Sequence, residues 1–410
     1  MESPPIFAPA AAAEIPDFLR ARAEGTALRI RGCGSKAAFG RPAASEDAIL
    51  DLSALSGITL YEPDELVLSA HAGTPLADIA AAVTERGQCL AFEPPELNAL
   101  LGGGEGGPTL GGPTLGGIVA CGWSGPRRIK AGAVRDHVLG IQAIGGDGQS
   151  FRSGGRVVKN VTGFDLPKLL TGSHGTLAVM TDITIKVLPA PQRTRTLVLF
   201  GLDDAEAVAL MTAALGGPFE IAGAAHLPAK AAARSSSADL ARSGGSATLL
   251  RLEGFGPSVD DRFAALEQRF AKAGDFMGLD SNDCITAWRE VREVAGHVDS
   301  GAVVWRLSLR ATDAARVTAD ILAKTGGEAF YDWGGGLVWL ALPSGGPDGH
   351  AATVREALPS GHATLMRAPA DMRVGVPVFQ PRPPALAALE DRVKTAFDPR
   401  AILAPRFMSS

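Results

Sequence analysis

Apolar residues in the first half of the chain alternate with polar ones over short runs, which is typical of half-buried β-strands. The runs with this pattern are residues 28–31, 66–70, 138–144 and 177–187. Residues 76–86 are instead rich in alanine at helical spacing and follow a turn at Pro75. Residues 145–148 form a hairpin-type turn, Gly-Gly-Asp-Gly. This half is therefore predicted to be an α+β domain.

Helical and extended patterns also follow one another in the second half. The predicted helices are residues 258–273 and 314–325, and the predicted strands are residues 247–252, 303–309 and 336–342. Such a succession predicts an α+β sandwich in which helices cover one face of a sheet. Two prolines, Pro189 and Pro191, separate the halves, so we place a domain boundary there.

Length and charge narrow the class of protein. The 410 residues, of which 46% are hydrophobic, are enough for two or three globular domains. A net charge of −5 provides no basic surface for nucleic acid. We find no uninterrupted apolar run of the length, about 18 residues, that a membrane span needs. We expect a cytoplasmic protein that reaches the inner membrane only through partners.

The four cysteines lie far apart in the sequence, at positions 33, 89, 121 and 284. Their spacing fits neither a zinc site nor an iron–sulfur cluster, which need clustered thiolates. We therefore predict no metal site, and any electrons that the protein handles must leave through another chain.

A glycine-rich turn follows the first predicted strand. Backbone N–H groups of residues 32–36, Gly-Cys-Gly-Ser-Lys, can cradle a phosphate because small residues allow close approach. The turn also matches the loose dinucleotide fingerprint G-x-G-x-x-A, with Asp51 as the ribose-binding acid. That alternative needs a long helix after the turn, and Gly40 and Pro42 interrupt the chain too early. An ordinary tight turn remains the other interpretation.

A second glycine-rich segment, residues 114–125, follows a duplicated pentamer. The sequence Pro-Thr-Leu-Gly-Gly occurs at 108–112 and again at 113–117. Only one copy can occupy a given loop register, so we expect residues 101–112 to form a mobile insertion. Glycine loses more conformational entropy on folding than other residues, so the density of glycine at 114–125 indicates a turn with a ligand lying on the main chain.

A third cluster of polar and glycine residues extends from residue 159 to residue 177. Lys159 and Asp165 are either ligand-binding or structural ion-pair residues, and the sequence leaves both open. Four charged residues precede this cluster, namely Arg127, Arg128, Arg135 and Asp136. The alternative interpretation of each is a charged residue on a solvated surface.

Taken in order, these segments resemble the vanillyl-alcohol-oxidase (PCMH-type) FAD-binding family, and in particular its FAD-binding subunits of bacterial glycolate oxidase. The segments that carry the resemblance are residues 31–36, 61–65, 72–76, 114–128, 135–136, 159–165, 171–189, 252–254, 305–309, 332–335 and 361–364. The C-terminal segment departs from the family, because Ala404-Pro405-Arg406 replaces the usual Asn-Pro-Gly.

The resemblance implies an α+β fold with a PCMH-type FAD-binding domain of two α+β lobes, residues 1–190. It also implies an α+β cap domain, residues 191–370, and a segment, residues 371–410, that returns to the FAD domain. The residues expected to contact FAD are Arg31, Gly32, Cys33, Gly34, Ser35, Lys36, Thr114, Gly116, Gly117, Ala120, Cys121, Gly122, Ser124, Gly125, Arg128, Asp136, Gly175 and Val179.

We expect FAD to be bound non-covalently, because the first turn contains no histidine that could tether it. Cys121 adjoins the second segment, and His137 and His174 border the site. We predict that both histidines are structural and hydrogen-bonded rather than flavin linkages.

The resemblance also implies a partnership with a second FAD subunit and an iron–sulfur subunit in the oxidation of a small 2-hydroxy acid, glycolate. The cap region has isolated histidines and no His-x-x-His pair, which argues against an independent catalytic site. Arg306, Arg310 and His362 are the candidate catalytic residues if one exists. Two alternatives stay open: a stand-alone FAD-dependent 2-hydroxy-acid or alcohol dehydrogenase, and a structural subunit with a vestigial flavin site.

Overall fold

The computed structural model of the protein describes residues 4–36, 38–41, 47–101, 112–156 and 163–404. Residues 102–111 of the predicted insertion, and Lys159 of the third polar cluster, lie outside the described residues.

The chain forms two compact units, and the first is assembled from three stretches of sequence. It consists of Met1–Ser124, Gly132–Pro189 and Pro381–Ser410. The second unit consists of Gly125–Ala131 and Ala190–Gln380. The structure differs from the predicted domains in two places, since a short segment within residues 1–190 belongs to the second unit and the C-terminal return begins at residue 381 rather than 371.

Helices occur in both units. In chain order they are α1 Ile15–Arg20, α2 Leu76–Thr84, α3 Asn98–Leu101, α4 Leu115–Cys121, α5 Arg128–Ala131, α6 Val134–His137, α7 Leu166–Leu170, α8 Asp204–Leu215, α9 Ala229–Ala232, α10 Ala238–Ala241, α11 Gly256–Phe270, α12 Ser281–Glu293, α13 Ala311–Thr325, α14 Ala351–Glu356, α15 Ala370–Gly375 and α16 Pro384–Phe397.

The first unit contains three sheets. Its strands are β1 Ile6–Phe7, β2 Leu28–Arg31, β3 Ala48–Asp51, β4 Ile58–Glu62, β5 Val67–His71, β6 Gln88–Cys89, β7 Val138–Gly145, β8 Ser150–Gly154, β9 Ala178–Lys186 and β10 Leu188–Pro189. Strands β1, β3 and β2 form a parallel sheet in that order. Strands β4, β5, β9, β7 and β8 form an antiparallel sheet, and β6 pairs with β10. The α+β prediction for this half is confirmed.

The second unit is built on one antiparallel sheet. Its strands are β11 Arg193–Phe200, β12 Gly223–Leu227, β13 Ala247–Gly254, β14 Phe276–Asp280, β15 Val303–Ser308, β16 Glu328–Asp332, β17 Leu337–Leu342 and β18 His362–Arg367. Their order in the sheet is β14, β11, β13, β12, β16, β17, β15, β18.

Helices α8, α11, α13 and α14 pack on one face of this sheet and share a hydrophobic core with it. In α11 the buried residues Val259, Phe263, Leu266 and Phe270 recur at helical spacing, which explains why this face turns inward. Alternate strand residues complete the core, among them Trp305 and Leu307 of β15.

The opposite face of the sheet is not bare at its β11 end. Leu197 belongs to the core on the first face, so its neighbour Thr196 points to the other side. There Trp288 of α12 donates its indole N–H to Thr196 Oγ1 at 2.8 Å. The sequence-based prediction of helices on one face therefore misses α12, which lies on the second face.

Candidate functional site

The two glycine-rich segments come together in the first unit. Backbone at Gly32 lies so close to Thr114 that a Cβ atom added to Gly32 would stand 2.5 Å from Thr114 Oγ1. A Cβ atom added to Gly117 would lie 3.3 Å from Thr114 Oγ1 and 3.9 Å from Lys36 Nζ. The turn after β2 and the start of α4 are thus direct neighbours.

The glycines of this junction differ in the space that surrounds their main chain. Gly34 has φ +72° and no described atom within 4 Å of an added Cβ, so its backbone borders open space. Gly116 is instead pressed against Ala72, and Gly122, with φ +67°, against Gly172. Packing therefore explains Gly116 and Gly122. Gly34 has no described atom beside its added Cβ, and Gly117 stands against the side chains of Thr114 and Lys36.

Residues 115–121 form helix α4 rather than the turn that the glycine density predicted. Thr114 caps the helix, because its Oγ1 accepts a hydrogen bond from Gly117 N at 3.2 Å. Ile118 and Val119 are fully buried in the core of the first unit, and this burial offsets the low helix propensity of Gly116 and Gly117. The prediction of a turn was wrong for that reason.

Aromatic side chains flank the junction on one side. Lys36 Nζ lies 5.6 Å from the centre of the Trp123 ring and 3.1 Å from Ser35 Oγ. Phe39 packs edge-on against Trp123, with ring centres 5.2 Å apart, and lies 5.6 Å from the ring of His174. Sequence reasoning did not single out Trp123 or Phe39 as site residues, although Trp123 stands inside the second glycine-rich segment.

Two cysteines and one histidine around α4 are held in their neutral forms. Burial raises the pKa of the Cys121 thiol to about 11 and lowers the pKa of His174 to about 4. Burial also raises the pKa of Cys33, and the nearby Asp51 carboxylate adds to that effect. A protonated thiol is a poor nucleophile, so these cysteines have little reactivity.

Several predicted flavin contacts also have structural roles. Arg31 forms an ion pair with Asp51 at 2.8 Å, which also removes Asp51 from the alternative role of ribose ligand. Ser124 Oγ accepts a hydrogen bond from Val134 N, and Asp136 caps α6 through Ala133 N.

Two further predicted contacts, Gly175 and Val179, lie in the turn before β9 and in β9 itself. Val179 is fully buried in the core within β9, so its side chain is not available to a cofactor. Gly175, with φ +73°, packs against Ile30.

Gly125 and Arg128 belong to the second unit rather than the first. The Gly125 carbonyl accepts a hydrogen bond from Trp333 Nε1 at 3.1 Å, and the Arg128 guanidinium lies 4.2 Å from the centre of the Trp333 ring. Arg127, between them in sequence, forms a bidentate ion pair with Glu253 of β13. This segment is therefore anchored to the sheet of the second unit.

A polar patch occupies the second face of that sheet near β15 and β18. Arg306 and Ser308 alternate with the core residues Trp305 and Leu307, so they point away from the core. The strand registers define two adjacent rows on this face. The first row is Phe330, Trp339, Arg306 and Thr364, and the second row is Asp332, Leu337, Ser308 and His362. Two of the predicted catalytic candidates, Arg306 and His362, are thus diagonal neighbours across β15 and β18.

The third candidate, Arg310, is separate from this patch. It is the residue before α13, it is 69% exposed, and its Nε lies 3.2 Å from the carboxylate of Asp313. Strand β15 ends at Ser308, two residues before Arg310.

Trp333 is the residue of this region that sequence reasoning missed. It lies in the turn after β16 with φ +52°, a conformation that is unusual for a tryptophan. Asp332 Oδ1 accepts a hydrogen bond from Trp333 N at 2.7 Å, and Gly334 and Gly335 have positive φ as well. The sequence Asp-Trp-Gly-Gly-Gly at 332–336 was the available signal, since it places a large aromatic residue in a tight hairpin turn.

Within the described ranges, no group of three or more His, Cys, Asp or Glu side chains is arranged to hold a metal ion. The helices in the same part of the chain include none with the length and apolar character that crossing a membrane requires.

Residues 4–154 match the family described as FAD binding domain. The Escherichia coli protein named glycolate oxidase subunit GlcE is 34% identical over 93% of this chain and 92% of its own length. The chain belongs to this family of PCMH-type FAD-binding glycolate oxidase subunits.

Two further proteins are similar to the chain at lower sequence identity. The Bacillus subtilis glycolate oxidase subunit GlcD is 27% identical, and the match covers 41% of this chain and 33% of GlcD. Among solved structures, p-cresol methylhydroxylase with substrate bound has a TM-score of 0.70 at 16% identity, covering 98% of this chain and 88% of that one. The second likeness shows the fold, and it confirms the predicted PCMH-type architecture.

As a member of the PCMH-type family the protein binds FAD and is an FAD-dependent oxidoreductase, as predicted. The junction in the first unit fits the cofactor, because the Lys36 ammonium lies beside Gly117 at the start of α4 and Gly34 precedes Lys36 by two residues in the same turn. These are the kinds of groups that hold a pyrophosphate.

Proposed function

We propose that this chain is the FAD-binding redox subunit of a heteromeric glycolate oxidase, in which glycolate becomes glyoxylate and electrons pass to an iron–sulfur subunit. The observation that carries the proposal is the contact of Gly32 and Lys36 with Thr114 and Gly117, in a chain that aligns with GlcE over nearly its whole length. When bound, FAD supplies the acceptor for the hydride that leaves C2 of a hydroxy acid.

The residues proposed to hold FAD form a smaller set than the sequence suggested. Gly32, Gly34, Ser35 and Lys36 present the first turn, and Thr114 and Gly117 present the start of α4, with Ala120 and Cys121 at its end. Gly34 and Gly117 would let the main chain approach the phosphates, and the Lys36 ammonium would neutralise part of their charge.

We further propose that FAD is bound non-covalently. The Cys121 thiol is protonated over the whole neutral range because burial raises its pKa to about 11. His174, with its pKa lowered to about 4, packs against Phe39 and donates its backbone N–H to Ala120 O, which supports a structural role.

The partner subunits are supported by the cysteine content and by the relatives. Four scattered cysteines, all free thiols in the structure, do not make an iron–sulfur site, so electrons need a separate acceptor. The similarity to GlcD supports a second flavin subunit of related fold in the same complex. We place the complex in the cytoplasm, where any membrane attachment would come from these partners.

A stand-alone 2-hydroxy-acid dehydrogenase is the second candidate function, and the polar patch around Arg306 is the observation that favours it. The two candidates differ in whether glycolate bleaches the flavin of the isolated chain. We expect the purified chain to be yellow and to keep its flavin absorption band, at about 450 nm, when glycolate is added. The band should disappear only after the two partner subunits are added as well. Bleaching by glycolate without partners would replace the first candidate by the second.

The position of the cofactor is tested by substitution of a glycine. Gly117→Val places a branched side chain beside Thr114 and Lys36, and we expect it to release FAD without unfolding the second unit. Gly345→Val is the matched control, because an added Cβ there has no described atom within 4 Å and the residue lies in an exposed loop of the second unit. Full FAD content in purified Gly117→Val protein would contradict the placement.

A further inference from the structure

The C-terminal stretch, residues 384–404, is bonded to the small parallel sheet of the first unit. Leu28 N donates to Ile402 O at 2.9 Å, and Ala404 N donates to Leu28 O at 3.0 Å, so Leu28 and Leu403 form a parallel bridge. Leu28 begins β2, and β2 ends directly before the turn at residues 32–36. The C-terminal stretch therefore holds the strand from which that turn departs.

The same stretch is also attached to the antiparallel sheet of the first unit. Gly146 N, in the turn between β7 and β8, donates to Phe397 O at 2.9 Å. The ring of Phe397 packs against the ring of Phe151 in β8, with ring centres 5.9 Å apart. The C-terminal stretch thus connects the parallel sheet and the antiparallel sheet of the FAD-binding unit.

Lys394, in α16, joins these attachments through one ammonium group. Its Nζ lies 2.6 Å from Thr176 O, 2.7 Å from Leu403 O and 2.5 Å from Asp398 Oδ2. An ammonium has three N–H donors, so these three acceptors use all of them. The Lys394 side chain is 25% exposed, so water competes little for the three bonds.

Thr176 belongs to a turn, residues 172–176, that packs against the end of α4. His174 N donates to Ala120 O at 2.8 Å, and Ala120 lies in the last turn of the helix, where carbonyls need partners from outside it. Thr176 is part of the same turn, since its Oγ1 donates to Ser173 O at 2.7 Å. The Lys394 ammonium therefore links the strand beside β2 to the turn that supports α4.

We propose that Lys394 is a positioning residue for FAD. Through Leu403 it fixes the strand that leads to the turn at residues 32–36, and through Thr176 it fixes the turn against which α4 packs. FAD needs that first turn and α4 at the same time, and supporting contacts of this kind hold such a site in its binding geometry. Without the ammonium, FAD would have to bring the two segments together on binding, and its affinity would fall. The inference rests on the placement of FAD at these segments and not on the oxidation of glycolate.

Substitution of Lys394 separates positioning from stability. Lys394→Met keeps a long side chain and removes the ammonium, but it leaves the buried Asp398 carboxylate without its counter-charge. Adding Asp398→Asn removes that charge, so the double variant should resist urea better than Lys394→Met. We expect both variants to bind FAD about tenfold more weakly, as measured by equilibrium titration of the folded apoprotein. FAD affinity that recovers together with stability in the double variant would overturn the proposal.

Leu68→Ala is the matched control for a loss of stability alone. Leu68 is fully buried in β5, opposite Tyr61 and Ile185, so its truncation leaves a cavity in the core of the same unit. The folded apoprotein of this variant should bind FAD as the unmodified chain does. Equal weakening of FAD binding by Leu68→Ala and Lys394→Met would mean that Lys394 acts only through the stability of the unit, contrary to the proposal.

The unmodified chain provides a test that does not depend on the folding of any variant. Coupling between two sites is reciprocal, so FAD should in return stabilise the C-terminal stretch. We expect amide hydrogen exchange at residues 402–404 to slow by about tenfold when FAD binds, and exchange in β1, the N-terminal strand of the same sheet, to stay unchanged. Unchanged exchange at residues 402–404, or equal slowing in β1, would contradict a link through Lys394.

The outcomes also separate this inference from the proposed function. FAD binding that depends on Lys394, in a chain whose flavin is never reduced by glycolate in the assembled complex, would retain the positioning role and remove the proposed function. Reduction by glycolate in the complex, together with unchanged FAD affinity in Lys394→Met, would do the reverse.

Discussion

At the scale of single residues, the sequence predicts flavin contacts at glycines and at polar residues alike. Gly34 and Gly117 were predicted because the density of glycine in their segments indicates main chain kept open for a ligand, and both stay predictions. Arg31, Asp136 and Val179 were also predicted as contacts, but they serve an ion pair, a helix cap and the core. A sequence does not reveal these alternatives, because they depend on partners that are distant along the chain.

His174 gives a prediction about pH at the residue scale. Its pKa in the folded protein is lowered to about 4, below the ordinary value of 6.5. Between these two pH values the unfolded chain therefore binds a proton at this residue while the folded chain does not. The contribution of neutral His174 to the free energy of unfolding is fully present above pH 6.5 and is lost as the pH falls towards 4. His174→Asn should remove this dependence, since asparagine tolerates the φ of +55° found there.

The experiment compares the free energy of unfolding of the FAD-binding unit at pH 7 and pH 5, followed by flavin fluorescence. The unmodified chain should lose at most about 2 kcal/mol more than His174→Asn over this interval. An identical loss in both proteins would mean that His174 does not titrate in this way.

At the scale of elements, strands were predicted more reliably than the glycine-rich helix α4. Strand β9 and the hairpin β7–β8 follow from alternation and turn chemistry, which are local. Helix α4 contains Gly116 and Gly117, and it forms because Ile118 and Val119 are buried, which is a tertiary effect. The rows of the polar patch depend on strand register between β15, β17 and β18, and no local pattern specifies that register.

The cap of α4 can be removed by one substitution. Thr114→Ala eliminates the hydrogen bond to Gly117 N, and a lost cap of this kind costs about 1 kcal/mol. Because α4 positions Gly117, we expect FAD to bind about fivefold more weakly, as measured by equilibrium titration of the apoprotein. Thr114→Ser keeps the capping oxygen and should bind FAD normally. Equal weakening by both substitutions would point to the Thr114 methyl group rather than to the cap.

For the whole molecule, the domain limits expected from sequence do not include an interruption of the first unit. The segment Gly125–Ala131 lies between stretches of the first unit and belongs to the second, where Arg127 pairs with Glu253 and Trp333 binds the Gly125 carbonyl. Both contacts join residues more than 100 positions apart along the chain. A boundary drawn from composition and prolines cannot detect a seven-residue excursion of this kind.

The C-terminal stretch is the other long-range feature of the molecule, and Asp398 fixes it to the first unit. The Asp398 side chain is fully buried and accepts hydrogen bonds from Ile402 N and Leu403 N. Lys394 Nζ lies 2.5 Å from it and also donates to the carbonyls of Thr176 and Leu403. A Cβ atom on Gly146 would lie only 2.0 Å from Asp398 Oδ1, so the β7–β8 turn is packed directly on this carboxylate.

Asp398→Asn should therefore destabilise the first unit strongly. Removing one charge of a buried ion pair leaves the Lys394 ammonium without its counter-charge, which costs about 3–5 kcal/mol. Asp391→Asn is the matched control, because Asp391 lies on the same helix, α16, and is exposed. We expect urea denaturation followed by flavin release to shift to lower urea for Asp398→Asn and to stay in place for Asp391→Asn. Both substitutions remove one carboxylate from the same region of the chain, and they differ in the burial of that carboxylate. Similar midpoints for the two variants would therefore show that the C-terminal segment contributes little to the stability of the FAD-binding unit.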